Sequence, residues 1–107
     1  MKQFLAVIPA YNEAQHIVQV VNSAQQYLPV LVVDDGSADD TARLAEAAGA
    51  SVLRQVPNQG KGTALRAGFR RALDLGYGAV ITLDADGHMT PQKSRSSWRP
   101  TAPGQPI

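Results

Sequence analysis

The sequence predicts an α/β fold, a parallel sheet of four strands with flanking helices. Three observations predict it. Four short apolar runs alternate with three segments whose apolar residues recur at helical spacing. The runs are apolar at almost every position, as in strands of a sheet covered on both faces. Gly, Pro, Asn and Asp punctuate the changes of period. Right-handed crossovers then give the strand order 3-2-1-4 and place every C-terminal strand end on one edge.

Each element follows in turn. "FLAVI", residues 4–8, is short, partly β-branched and closed by Pro9, so it reads as a buried first strand. Asn12 is suited to cap the first helix, whose stripe is Ala14, Ile17, Val18, Val21, Ala24 and Leu28. Pro29 ends that helix, and "VLVV" is the second strand. "SADD" has capping-box form, with Ser37 as N-cap and Asp40 three residues on. Leu44, Ala45 and Ala48 continue this second helix, and Gly49 closes it. "SVL" is a short third strand and "NQGKG" a turn. Leu65, Phe69, Ala72 and Leu73 form the stripe of a third helix, closed by Gly76. "AVITL" is the fourth strand.

Residues 92–107 differ in character. They hold three of the seven prolines, three serines and no apolar period, and read as an irregular tail. The division is therefore 1–91 as one folded part and 92–107 as tail. At 107 residues the chain has room for one small domain.

Composition excludes several classes. Ten basic and nine acidic residues give a net charge of +1, which offers no bulk attraction for nucleic acid or an anionic membrane. The absence of cysteine rules out disulfides and thiolate metal sites, and suits a cytoplasmic location. The apolar run at the N-terminus is shorter than the roughly 7–15 residues of a signal-peptide core. No run approaches the ~20 apolar residues of a membrane span.

Two strands end on carboxylates, at Asp34–Asp35 and at Asp84 and Asp86. "PAYNE" ends the first strand. The topology brings all three to one sheet edge, where ligands of such sheets bind. Asp84 and Asp86, with Gly87 permitting a turn, can reach one hard cation; Mg²⁺ or Mn²⁺ favours carboxylate oxygens and substrate phosphates. A carboxylate of the upstream pair can accept from a base N–H or from ribose hydroxyls. The plainer readings are a helix cap with surface acids for "DDGS" and a polar turn for "DADG". Lys61, between Gly60 and Gly62 at a helix start, is placed to meet a phosphate; Arg66, Arg70 and Arg71 read as a solvated face. "GKGTAL" is neither a dinucleotide fingerprint nor a P-loop. Tyr11 can stack on a base or pack under its loop. His16 reads as solvent-facing.

"VIPAYNEA", "VVDDGSADDT", "NQGKGTALRAGF" and "ITLDADGHMTP" resemble, in order and spacing, the family 2 inverting glycosyltransferases of GT-A fold, which include polyprenyl-phosphate sugar synthases. The resemblance covers residues 3 to 91, about four-fifths of the chain. It implies the Rossmann-like N-terminal half of a GT-A fold that binds a nucleoside-diphosphate sugar for inverting transfer. It implies that Pro9, Ala10, Tyr11, Asn12 and Glu13 line the nucleotide pocket with Asp35, on the base or ribose, and Asp84; the helix-start reading adds Lys61 to this nucleotide-binding set. Asp84 and Asp86 would hold Mg²⁺ or Mn²⁺ against the diphosphate. His88 stands where the family often has a Gln that adds a metal ligand; imidazole suits Mn²⁺ better than Mg²⁺, and the alternative is an exposed turn histidine. The implied acceptor is a polyprenyl phosphate or a saccharide, and the full-length family sits at the inner face of the membrane as peripheral proteins.

The chain departs from the family after Pro91. The family continues into a half that carries the acceptor pocket and the general base, so no catalytic residue is expected here, and transfer by this chain alone should be weak or absent. A truncation or a reading-frame change near residue 92 would explain the departure. The fourth strand should then be an edge that favours a homo-oligomer, with Trp98 as an anchor. The competing readings are a non-catalytic nucleotide-binding module and a haloacid dehalogenase-type phosphatase. The latter shares an aspartate pair after a strand but has Thr where His88 stands.

Overall fold

The computed structural model describes residues 3–85. Seven elements follow in the order β1 (Phe4–Ala10), α1 (Ile17–Gln25), β2 (Val30–Asp34), α2 (Thr41–Ala47), β3 (Ser51–Arg54), α3 (Lys61–Asp74) and β4 (Ala79–Thr82). One sheet runs β3-β2-β1-β4, and every pairing is parallel, as the sequence predicts. Residues 92–107, expected from the sequence to form a tail anchored by Trp98, lie outside the described residues.

The apolar runs fill both faces of the sheet. Ala6, Ile8, Val30 and Val32 pack with Ile17, Val21 and Ala24 of α1 and Ala45 of α2. Leu5, Val7, Leu31 and Val33 pack with Ala64 and Ala72 of α3. Val7, Ile8, Val32 and Val33 are fully buried, and each such side chain contributes about 1.5–3 kcal/mol of hydrophobic stabilisation. β1 pairs on both sides, so its buried positions are continuous. β4 pairs only with β1 and is an edge among the described residues.

The buried face of α3 keeps Ala72 of the predicted stripe, with Leu65 partly buried against the same cluster, and differs at Phe69 and Leu73. It consists of Ala64, Gly68 and Ala72, spaced by four residues. Phe69 and Leu73 are 37% and 70% exposed. The cause is close approach. A Cβ at Gly68 would lie 2.5 Å from Val7 Cγ1, so the helix rests directly on the branched side chains of the sheet. Small residues mark the line of closest approach, with Leu65 packed beside it.

Two predicted caps also differ. α1 starts at Ile17 with His16 before it, and Asn12 lies in the preceding loop at φ +54°. α2 starts at Thr41, and Ser37 does not cap it. Both side chains instead bond across to the neighbouring loop. Gly49 and Gly76 close α2 and α3 as expected, their N–H groups donating to Glu46 and Leu73 carbonyls. Among the described residues no helix is long and apolar enough to cross a membrane.

Candidate functional site

The C-terminal ends of β1, β2 and β4 meet at a cleft of about 430 Å³. It lies where β1's neighbours follow it in opposite directions in the sheet, the switch point at which such folds bind ligands. Seven of the residues predicted for nucleotide binding line it: Pro9, Ala10, Tyr11, Glu13, Asp35, Lys61 and Asp84. Asn58, Gly60 and Ala85 line it too and were not singled out by sequence. The polar "NQG" before Lys61 was the available signal for Asn58. Asp86 and His88 lie outside the described residues.

One wall is two loops stitched together. The Asn12 N–H donates to Ser37 Oγ at 2.8 Å, and Asn12 Oδ1 accepts from the Ala38 N–H at 2.8 Å. The Glu13 N–H donates to Thr41 Oγ1 at 2.9 Å, and the Ala14 N–H to Asp39 Oδ2 at 3.2 Å. Asp39 also accepts from the Thr41 N–H at 3.0 Å and from the Thr41 hydroxyl. Burial pushes the Asp39 carboxyl up, but the Thr41 hydroxyl and N–H and the Ala14 N–H outweigh it, leaving its pKa below the usual value. Asn12 therefore supports the wall and does not line the cleft. Tyr11, in the first of these loops, is 50% exposed at the cleft. His16 is part-exposed and places Nδ1 3.3 Å from Glu13 Oε1.

The acidic pair after β2 divides its work. Asp34 ends the strand, fully buried, with Oδ2 accepting from Arg54 Nε at 3.1 Å. Its Oδ1 is buried without a hydrogen-bond partner. Asp35 turns to the cleft and gathers the β3–α3 loop. Its Oδ1 accepts from Gln55 Nε2 at 2.7 Å and the Gln59 N–H at 2.7 Å. Its Oδ2 accepts from Asn58 Nδ2 at 3.0 Å and the Gly60 N–H at 2.8 Å. Four donors fill about four lone-pair positions of the carboxylate. Burial raises its pKa, but the Gln59 N–H, the Gln55 amide and the Gly60 N–H together hold it below the usual range. Gly36 completes the fit. It sits at φ +74°, and a Cβ there would lie 2.7 Å from the Asn58 nitrogen, so only glycine lets the loop close on Asp35.

Across the cleft, Lys61 Nζ lies 3.0 Å from Asp84 Oδ1, with side chains 64% and 57% exposed. Lys61 is the first residue of α3. Arg66 bonds Thr63, and Arg70 and Arg71 are exposed, consistent with a solvated face. Among the described residues no group of three or more metal-ligating side chains forms. Asp84 still fits a hard cation on this geometry. It offers carboxylate oxygens at the cleft, and a cationic ammonium already rests on one of them.

The family model for glycosyl transferase family 2 matches residues 5–97. The chain belongs to this family. The phosphatase reading is thereby set aside. Relatives include an undecaprenyl-phosphate mannosyltransferase of Micrococcus luteus, 37% identical over 97 residues, covering 83% of this chain and 40% of that protein. A polyprenol monophosphomannose synthase of Mycolicibacterium smegmatis is 35% identical over 98 residues, covering 83% of this chain and 37% of that one. Among solved structures, glucosyl-3-phosphoglycerate synthase of Mycobacterium tuberculosis, in complex with Mn²⁺, UDP and glucosyl-3-phosphoglycerate, superposes with a TM-score of 0.65 at 31% identity. That match covers 78% of this chain and 33% of the other. The chain thus spans about two-fifths of the length of the curated relatives it matches.

Proposed function

We propose that the cleft binds the nucleoside-diphosphate part of a nucleotide sugar, as the donor half of an inverting glycosyltransferase. The observation that carries this is the convergence of Asp35 and Asp84, from strands far apart in sequence, on one cleft at the switch point. The nucleoside lies along Pro9, Ala10 and Tyr11, with Asp35 and its loop as the facing wall. The diphosphate lies toward Lys61 and Asp84. Asp84 and Asp86 would hold Mg²⁺ or Mn²⁺, with His88 adjacent to them in sequence; the metal neutralises charge on the departing diphosphate. The solved relative with Mn²⁺ and UDP, and one with Mg²⁺ and UDP, support this choice of ligand.

The acceptor, by the names of the mannosyltransferase relatives, is a polyprenyl phosphate, with a saccharide as the other acceptor chemistry. A lipid acceptor implies work at the cytoplasmic face of a membrane as a peripheral protein. Donor binding is the step to which the residues of the described cleft contribute on this reading. The β4 edge, unpaired among the described residues, suits self-association, which sedimentation at rising concentration checks.

A thermal-shift panel of UDP-, GDP- and dTDP-sugars with and without Mn²⁺ tests the reading. A bound donor raises the melting temperature by mass action. A metal-dependent rise with one of the sugars supports it; no rise with any of them refutes it.

A further inference from the structure

We propose that Lys61 is an internal counterion that occupies the cation position on Asp84 until a nucleoside diphosphate draws it away. This rests on the reading of the cleft as a metal–diphosphate site.

The root of Lys61 is fixed and its tip is free. The residues just before it are pinned, since the Gln59 and Gly60 N–H groups both donate to the buried carboxylate of Asp35. The Gly60 carbonyl accepts the Ala64 N–H at 3.0 Å, which starts the first turn of α3. Beyond that root the side chain is exposed and its ammonium meets Asp84 Oδ1 at 3.0 Å. The end of the β3–α3 loop and the start of α3 thus hold two of the three carboxylates that line the cleft: Asp35 by four donors, Asp84 by the ammonium alone. The first attachment is buried and multiple. The second is single and solvated, and exposed pairs of this kind are weak.

A divalent cation on Asp84 would share the carboxylate with the ammonium on Oδ1, and like charges a few ångströms apart repel. Metal binding alone therefore pushes Lys61 off Asp84 toward water. A diphosphate changes the balance, because its oxygens accept both the metal and the displaced ammonium. Lys61 consequently opposes metal in the empty cleft and supports the metal–nucleotide complex. The same group carries coupling of opposite sign in the two states, and linkage makes the effect reciprocal. Metal alone binds less tightly than it would without Lys61, and the loaded cleft ends with its charges paired.

The test is Mn²⁺ binding, read from the electron-paramagnetic-resonance signal of free Mn²⁺, on the whole chain with and without UDP. Wild type is compared with Lys61→Gln, Arg66→Gln and Asp84→Asn. Without UDP, Lys61→Gln should bind Mn²⁺ about three- to fivefold more tightly, the ceiling for losing an exposed pair. With UDP it should bind Mn²⁺ more weakly than wild type, by about tenfold, since a charge-assisted phosphate contact is lost. Arg66→Gln removes the same charge from the same helix without touching Asp84, and should stay within about twofold in both states. The counterion role is overturned if Lys61→Gln leaves Mn²⁺ affinity unchanged without UDP, or if Arg66→Gln gains as much. If Asp84→Asn leaves Mn²⁺ affinity unchanged, the metal-site reading itself fails, and the two failures are told apart. Absence of Mn²⁺ binding by every variant at millimolar metal overturns both.

Discussion

Replacing Asp35 by Ala should unfasten the β3–α3 loop and with it the nucleotide wall. The substitution leaves three donors without an acceptor and leaves Asn58 Nδ2 only its bond to the main-chain oxygen of residue 35. The Gln55 and Asn58 amides can turn to water. The Gln59 and Gly60 N–H groups cannot do so unless the loop lifts away from Gly36. A hydrogen bond to a charged group is worth ~1.5–3 kcal/mol net, so the two main-chain donors alone imply ~3–6 kcal/mol. Shared geometry makes such terms less than additive, and ~3 kcal/mol is the expected loss. Against a domain stability of about 5–15 kcal/mol this is a large fraction. Asp35→Asn keeps one acceptor oxygen and turns the other into a donor facing two donors, so it should recover less than half of the loss. Three measurements check this: the urea midpoint, amide exchange at Gln59 and Gly60, and nucleotide titration. The two amides should exchange faster, and nucleotide affinity should fall equally with and without metal. A stability change below about 0.5 kcal/mol, with unchanged exchange at both amides, would refute the anchoring argument.

Further outcomes follow from the packing and the charges. Gly68→Ala gains helix propensity of about 1 kcal/mol but drives a Cβ into Val7; a net loss of ~1–3 kcal/mol is expected, partly recovered in the double variant with Val7→Ala. Asn12→Gly should be milder than Asn12→Ala in urea melts, because Gly tolerates φ +54° and only the bond to Ala38 is lost, whereas Ala adds backbone strain of ~1 kcal/mol. Acid should destabilise the fold through Asp35 and Asp39. Both carboxyls sit below the ordinary value of 3.8 in the folded state, so their stabilisation is complete above that value and lost as pH falls through the lower folded-state values. Stability should therefore rise with pH below about 4, with a smaller rise in Asp35→Asn.

The strand order and the meeting of the two acidic ends were legible because they depend on coarse signals. Continuous apolar runs, helical spacing between them and the handedness of crossovers leave few topologies. The face of α3 was not legible in the same way. Phe69 and Leu73 lie on a tempting stripe, but the helix approaches the sheet too closely for them, and Gly68 records that approach. The caps failed for a related reason. Asn12 and Ser37 have ordinary capping chemistry, yet each found a partner across space, 25 and 26 residues away in sequence, which local pattern does not encode. Asn58 escaped notice because its part depends on Asp35 being turned toward it.

The two adjacent aspartates make the sharpest contrast, and strand alternation explains it. Neighbouring residues at a strand end point to opposite faces, so of Asp34 and Asp35 only one can serve the cleft. Asp35 does so with four donors, while Asp34 is buried beside Arg54 with Oδ1 lacking a partner. Removing the charge from each should therefore have unequal effects. In Asp34→Asn the side-chain oxygen still accepts from Arg54, and the cost of burying a half-paired carboxylate disappears. The Arg54 guanidinium left without a charged partner is 54% exposed and can be solvated, so a change within about 1 kcal/mol of wild type is expected. Nucleotide affinity should also hold, since Asp34 does not line the cleft. Asp35→Asn, one residue on, should lose more stability and weaken nucleotide binding. Urea melts and nucleotide titrations on the two variants, side by side, decide the matter. If Asp34→Asn proves the more damaging of the pair in both measurements, the division between an aspartate of the core and an aspartate of the cleft is wrong.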